Sequence, residues 1–147
     1  MIGVLGYLYQ NKEIELDFSD KIIKVRGLVV VDSLGVERVI VGAPLPPPQA
    51  HGYRYSRGEN AEVSGIMLYD AEGQERSGYV TDNDYGNVFL TLDSKKSQRM
   101  LFVAEPQGAT TLRIWGRNGN RIELGASEVG SFLNVSDHGK KHNLINK

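Results

Sequence analysis

Cysteine is absent from this 147-residue chain, which excludes a disulfide scaffold, a thiol nucleophile and a zinc site built on thiolates. Histidine occurs three times, at scattered positions, so we expect no metal site and no cofactor. Lysine plus arginine (17) nearly balances aspartate plus glutamate (18). The basic surface typical of nucleic-acid binding is therefore missing, and we expect no nucleic-acid partner.

Long hydrophobic runs are also absent. None approaches the ~18 residues that a membrane-spanning helix needs, so we expect no integral membrane segment. The apolar start Met1–Tyr9 lacks a basic flank and a small-residue cleavage site, which disfavours a signal peptide. Residues 1–21 are interpreted as an N-terminal strand or a flexible lead-in. The compartment stays unknown, with the cytoplasm as the default and export as the open alternative.

Motifs that indicate catalysis are missing as well. The sequence has no H-E-x-x-H, no G-x-S-x-G and no glycine-rich phosphate loop. Acidic residues recur, but Glu37 and Glu75 hold equivalent positions in a repeated motif. A feature repeated at successive turns is better explained by turn geometry than by one active site. We therefore predict that the chain is not an enzyme.

The sequence does contain a repeated hairpin motif, clearest in Ile66–Val80. Asp70 and Gly73, at the first and fourth positions of a turn, favour a type I turn closed by a bulge. The Asp carboxylate accepts backbone N–H bonds of the turn, and Gly takes positive φ. The register predicted from this turn sets Leu68 opposite Arg76 and lets Arg76 reach diagonally to Asp70.

Variants of the motif follow one another along the chain, which predicts a repeat array. The spacing from Asp70 to Asp93 is 23 residues, and it is 23 again from Asp93 to Gly116. The copies are Asp32, Gly35 and Arg38; Asp70, Gly73 and Arg76; Asp93 and Arg99, with Lys96 in place of the Gly; a diverged fourth copy containing Trp115, Gly116 and Gly119; and a degenerate fifth with its turn at Asp137–Gly139.

One hairpin cannot bury its own apolar face, whereas stacked hairpins can. We therefore predict an all-β fold of tandem antiparallel hairpins, with a period of about 23 residues and very little helix. The hairpins form either a sandwich or a stacked sheet array. Residues 22–137 make a single domain, residues 42–60 are an inserted proline-rich loop, and residues 138–147 are a polar C-terminal tail.

The pattern of apolar strand, D-x-x-G-x-x-R and apolar strand resembles that of uncharacterised bacterial proteins built of tandem short hairpins. The similarity covers residues 22–137. The first two copies match the motif in full, Lys96 departs from its Gly, and Gly116 replaces its Asp. The resemblance implies the hairpin-repeat fold and implies no activity.

Two strand-like runs, Leu28–Val31 and Met100–Val103, are apolar on both faces. For Leu28–Val31 this predicts burial on both sides and hence a second layer. A second copy of the chain can supply that layer, and open sheet edges also favour self-association. We therefore predict a non-enzymatic structural or protein-interaction module that forms homo-oligomers. An unidentified protein partner is a further possibility.

The alternative function is a domain that binds a small ligand or a carbohydrate. Aromatic and basic residues are interleaved in the inserted loop, where the tyrosines could act as stacking platforms. A packed surface loop is the competing interpretation of the same segment. The candidate binding residues are Tyr53, Arg54, Tyr55, Arg57 and Trp115.

Overall fold

The computed structural model describes residues 19–145, and every regular element among them is a β-strand. The predicted all-β hairpin fold is therefore confirmed. The strands are β1 (Gly27–Val31), β2 (Glu37–Gly42), β3 (Gln49–Ala50), β4 (Tyr53–Arg54), β5 (Val63–Tyr69), β6 (Glu75–Asp82), β7 (Val88–Asp93), β8 (Gln98–Ala104), β9 (Thr110–Trp115), β10 (Arg121–Ser127), β11 (Gly130–Asp137) and β12 (Lys140–Asn143).

Ten of these strands form one antiparallel sheet in the order β1-β2-β5-β6-β7-β8-β9-β10-β11-β12, and β3 pairs with β4 in a separate ribbon. Apart from the insertion between β2 and β5, each strand is followed in space by its neighbour in sequence. Of the two predicted arrangements, the described residues adopt the sheet array. Because strand direction alternates, the turns after β1, β5, β7, β9 and β11 all lie at the same end of the strands.

The turn at Asp70 shows how the repeated motif works. The Asp70 carboxylate accepts the N–H groups of Glu72 and Gln74 at 2.9 and 3.1 Å, and Gly73 has φ 73°. Arg76 reaches back to Asp70 at 3.3 Å, as predicted. The predicted pairing of Leu68 with Arg76 is wrong, because a bulge after Leu68 shifts the register and Leu68 faces Ser77.

The motif arginines also connect each hairpin to the next one. Arg38 donates to the carbonyl of Tyr69 at 3.2 Å, and Arg76 donates to the carbonyl of Asp93 at 2.7 Å. Arg99 donates to the carbonyl of Gly116 at 3.1 Å. Each acceptor lies where the adjacent strand enters its turn, so one guanidinium fixes the relative position of two turns.

The third hairpin departs from the predicted motif. Its turn closes between the N–H of Ser94 and the carbonyl of Ser97, at 2.9 Å, so the loop is one residue shorter. The backbone at Lys96 does not enter the left-handed region, and Lys96 therefore does not occupy the position of Gly73. No Asp93–Arg99 ion pair forms among residues 19–145; Arg99 makes the inter-hairpin bond instead.

The inserted segment between β2 and β5 packs on one face of the sheet and adds Leu45 to the hydrophobic core there. Leu45 is 4% exposed and its N–H bonds to the carbonyl of Val63 at 2.8 Å. It contacts a cluster of buried strand residues, to which Phe89 adds a half-buried ring. The buried cluster is Ile40, Leu45, Val63, Met67, Tyr69 and Val80.

Two sequence predictions are corrected at the ends of the sheet. Strand β1 is not buried on both sides: it is the outermost strand, and all five of its residues are exposed. The segment assigned to a polar tail contributes β12, which follows a two-residue turn with positive φ at His138 and Gly139. The interpretation of residues 1–18 lies outside the described residues.

Candidate functional site

The two faces of the sheet differ in what lies on them. Side chains of successive residues alternate between faces, so the register assigns every strand residue to one side. One face carries Ile40, Met67 and Val80 and lies under the insertion. We call the opposite side the bare face, because no other part of residues 19–145 packs on it.

Two apolar rows run across the bare face from one edge of the sheet towards the other. Each member of a row faces the next across a strand pair, except that the pairing of β6 with β7 does not reach Ser77 and Leu92, where the second row is interrupted. The first row is Leu28, Val41, Ile66, Tyr79, Leu90, Phe102, Leu112, Leu124 and Leu133. The second row is Val30, Val39, Leu68, Ser77, Leu92, Met100, Ile114, Ile122 and Val135.

These side chains remain accessible to solvent in the single chain. Tyr79 is 58% exposed, Phe102 is 47% exposed and Leu124 is 42% exposed. A third row on the same face, from Ser64 to Ser131, consists of small or uncharged residues. No Lys, Arg, Asp or Glu therefore occurs in these three rows.

Most charges of the same strands lie on the other face, and the exception on β11 is Asp137, which lies beyond the rows opposite Lys140 of β12. Arg113 on β9 and Arg121 on β10 both bind Glu123, at 2.7 and 2.8 Å. Directly behind them, on the bare face, are Ile114 and Ile122. Strands β9 and β10 are thus polar on the side of the insertion and apolar on the bare face.

The bare face is large for a single chain. Nine strands about 4.8 Å apart and two rows about 6.8 Å apart give the apolar rows roughly 600 Å², and the third, uncharged row brings the face to roughly 800 Å². The largest apolar patch on a typical monomer is about 300–600 Å² and is often an interaction surface, so the apolar rows lie at the upper end of that range. With the third row, the face matches the roughly 800 Å² that each partner contributes to a stable protein–protein interface.

A second candidate site is a cleft of about 470 Å³ between the insertion and the sheet. Met67, Val80 and Phe89 form part of its apolar lining, and Glu75 and Asp93 supply two carboxylates. Burial, followed by repulsion from Asp93, raises the pKa of Glu75 to about 7, against the attraction of nearby arginines. Burial also raises the pKa of Asp93.

Arg57 is the cation of this cleft. It donates to the carbonyl of Pro46 at 3.0 Å and to the sulfur of Met67 at 3.1 Å, so it holds the insertion against the sheet. Burial lowers its pKa. His51 lies on the exposed loop and does not line the cleft. Within residues 19–145, no group of three or more His, Asp or Glu side chains is placed to hold a metal ion.

The five predicted binding residues do not form one site. Tyr53 and Tyr55 are exposed, at 72% and 49%. Arg54 binds Glu37 and the carbonyl of Pro47, and therefore holds the loop in place. Trp115 ends β9, three strands beyond β6, whereas the insertion packs on β2, β5 and β6.

Part of the bare face was detectable in the sequence. Strands β9, β10 and β11 alternate apolar residues with Arg113, Glu123 and Asn134. This is the pattern of a sheet with one face in solvent and the other face buried. The cleft was not detectable, because its carboxylates and Arg57 come from segments that only the packing of the insertion brings together.

Among the described residues no helix occurs that could cross a membrane. No protein-family model, no curated protein and no solved structure matches the chain.

Proposed function

We propose that this protein is a structural module that associates with itself through the bare face. The observation that supports the proposal is the pair of apolar rows, which cross the sheet without a single Lys, Arg, Asp or Glu. In water such a surface favours burial, at about 25 cal/mol per Å² of apolar area removed from solvent.

A second copy of the chain is the partner that fits best. Two sheets pack face to face with their strands about 30° apart and their layers about 10 Å apart, and this geometry requires apolar side chains on both inner faces. Every copy carries the same apolar face. The polar face, with Arg113, Glu123 and the insertion, then stays in solvent on the outside of the pair.

The first experiment is light scattering on the purified chain over a wide range of concentrations. We expect a discrete mass that is a multiple of 16.3 kDa. A monomer mass over the whole range contradicts the proposal, and a wild-type chain that gains mass only with an added protein points to a different partner.

A pair of variants locates the contact. Phe102→Glu places a charge in the middle of the first row and should lower the mass. The matched control is Val129→Glu, because Val129 is 99% exposed in the turn after β10 and lies outside the rows. Circular dichroism confirms that both variants keep their strands. Equal masses for the two variants would place the contact elsewhere.

The alternative function, binding of a small ligand or carbohydrate, is supported by a different observation. Tyr53 and Tyr55 of the insertion expose their rings, and Arg57 of the same loop lines the cleft that holds Glu75. A screen of glycans and small molecules by thermal shift tests it, with Tyr53→Ala and Tyr55→Ala as the variants expected to lose binding. No shift with any compound would count against this function.

A further inference from the structure

Within residues 19–145, β1 is the outermost strand and no other strand pairs with its outer edge, whose polar groups can be assigned. The N–H of Ala43 bonds to the carbonyl of Arg26 at 3.0 Å, and the N–H of Asp32 bonds to the carbonyl of Val36 at 2.9 Å. Both bonds point towards β2. Since backbone groups alternate along a strand, the N–H and C=O groups of Gly27, Val29 and Val31 point away from β2, to the open edge.

The two ends of the sheet differ in how they are protected. Edge strands of stable monomers usually carry lysine, proline or a bulge, which block pairing with another chain. β12 has Lys140 and Lys141, and two copies of it would repel each other. β1 has the sequence Gly-Leu-Val-Val-Val, without charge or proline, and all five residues are exposed.

We propose that β1 pairs antiparallel with β1 of a second copy, about a two-fold axis at Val29. This is the register that overlaps all five residues, with Val29 facing its own copy and Gly27 facing Val31 of the second copy. Every outward N–H and C=O then finds a partner, which makes six backbone hydrogen bonds. The same register sets Arg26 of one copy opposite Asp32 of the other at both ends.

The inference rests on the proposed function, because strand pairing extends the surface that the proposal uses. A two-fold axis perpendicular to the sheet keeps both bare faces on the same side. Leu28 and Val30 of one copy then meet Val30 and Leu28 of the second, so the apolar rows continue across the junction. Two such pairs stacked by their bare faces form a closed assembly of four copies.

The absence of cysteine makes a direct test possible. In the proposed register the Cα atoms of the two Val29 residues are about 5.5 Å apart, as in other hydrogen-bonded antiparallel pairs. Disulfides span Cα distances of about 4.4–6.8 Å. Val29→Cys should therefore form a covalent dimer under mild oxidation. Leu34→Cys, in a turn where Leu34 is 86% exposed, and Lys141→Cys, on the opposite edge, are the controls and should cross-link much more slowly.

Val29→Pro is the complementary variant. The N–H that proline removes points to the open edge, so no hydrogen bond inside the chain is lost. We expect strand content and melting temperature at high dilution to match wild type, and the mass in light scattering to fall twofold. Phe102→Glu should leave a pair that still cross-links through Val29→Cys.

The outcomes separate the two proposals. If wild type associates while Val29→Cys cross-links no faster than its controls, or Val29→Pro keeps the wild-type mass, the edge pairing is wrong and the proposed function stands. If Val29→Cys cross-links but Phe102→Glu does not change the mass in light scattering, the edge pairing is supported and the bare-face contact is contradicted. A wild-type monomer with no cross-linking overturns both.

Discussion

Glu75 offers the most informative perturbation of the fold, because its carboxyl group is destabilised in the charged form. Burial and repulsion from Asp93 raise its pKa to about 7 from an ordinary value of 4.5. A carboxyl group with a raised pKa in the folded state stabilises that state while it is protonated. This contribution is present below pH 4.5 and is lost as the pH rises towards 7. Glu75→Gln keeps the shape of the protonated side chain and removes its titration.

The magnitude follows from the shift in pKa. A change from 4.5 to about 7 corresponds to a ceiling of about 3 kcal/mol, at 1.36 kcal/mol per unit. The side chain is partly exposed, so solvent screening reduces this to about 1–2 kcal/mol. At pH 8 Glu75→Gln should therefore be more stable than wild type by about 1–2 kcal/mol, and at pH 4 the two should be equal.

Urea unfolding at pH 4 and pH 8, at one fixed protein concentration, measures this difference. Carboxylates far from Glu75 titrate equally in both proteins and cancel in the comparison, whereas Asp93 is coupled to Glu75 by repulsion. Asp93→Asn is the matched control: it removes the repulsion, and Glu75→Gln made in that background should gain less at pH 8. Equal midpoints for wild type and Glu75→Gln at both pH values would refute the assignment of a buried, repelled carboxyl group.

Three further substitutions test the turns and the packing, each by its urea midpoint. Gly73→Val should destabilise the fold by ~1–3 kcal/mol, because φ is 73° at this position and a β-branched residue resists positive φ. The control Gly73→Asn should cost much less. Equal midpoints for Gly73→Val and wild type would mean that the turn is wrongly assigned. Arg76→Lys should cost about 1 kcal/mol, since an ammonium group cannot bind both the Asp70 carboxylate and the carbonyl of Asp93. Unchanged stability would show that the bond between the two hairpins is not needed. Gly125→Ala should cost about 1–3 kcal/mol, because its Cβ would lie 2.6 Å from the backbone carbonyl oxygen of Thr110 and 2.7 Å from the ring of Phe132. A wild-type midpoint would mean that β9 and the Phe132 ring both shift to make room.

The local chemistry of the chain predicted the hairpins well. An Asp that accepts N–H groups of its own turn and a Gly with positive φ act within five residues, so sequence is sufficient to identify them. The turn at Asp70 and the contact between Asp70 and Arg76 were therefore predictable. The contact from Arg76 to the next hairpin was not, because it depends on which strand lies beside β6.

Equivalent positions in the motif acquired different environments, and this limited the prediction of the site. Glu37 and Glu75 follow the same turn motif. Glu37 binds Arg54 in the insertion, whereas Glu75 faces the cleft and Asp93. Repetition in the sequence suggested one structural role for both residues. The insertion breaks that equivalence, because it covers only one part of the sheet, and the sequence does not show where a proline-rich loop will pack.

The position of the hydrophobic cluster has a consequence for how the chain fluctuates. All six of its buried apolar residues come from β2, β5, β6 and the insertion, and none comes from β9 to β12. Local opening should therefore need less free energy towards the C-terminal strands. In a dilute single chain, amide hydrogen exchange should speed up strand by strand from β6 to β12. Association through the bare face should reduce these differences in exchange rate between strands. The C-terminal strands would then become rigid only as part of an assembly.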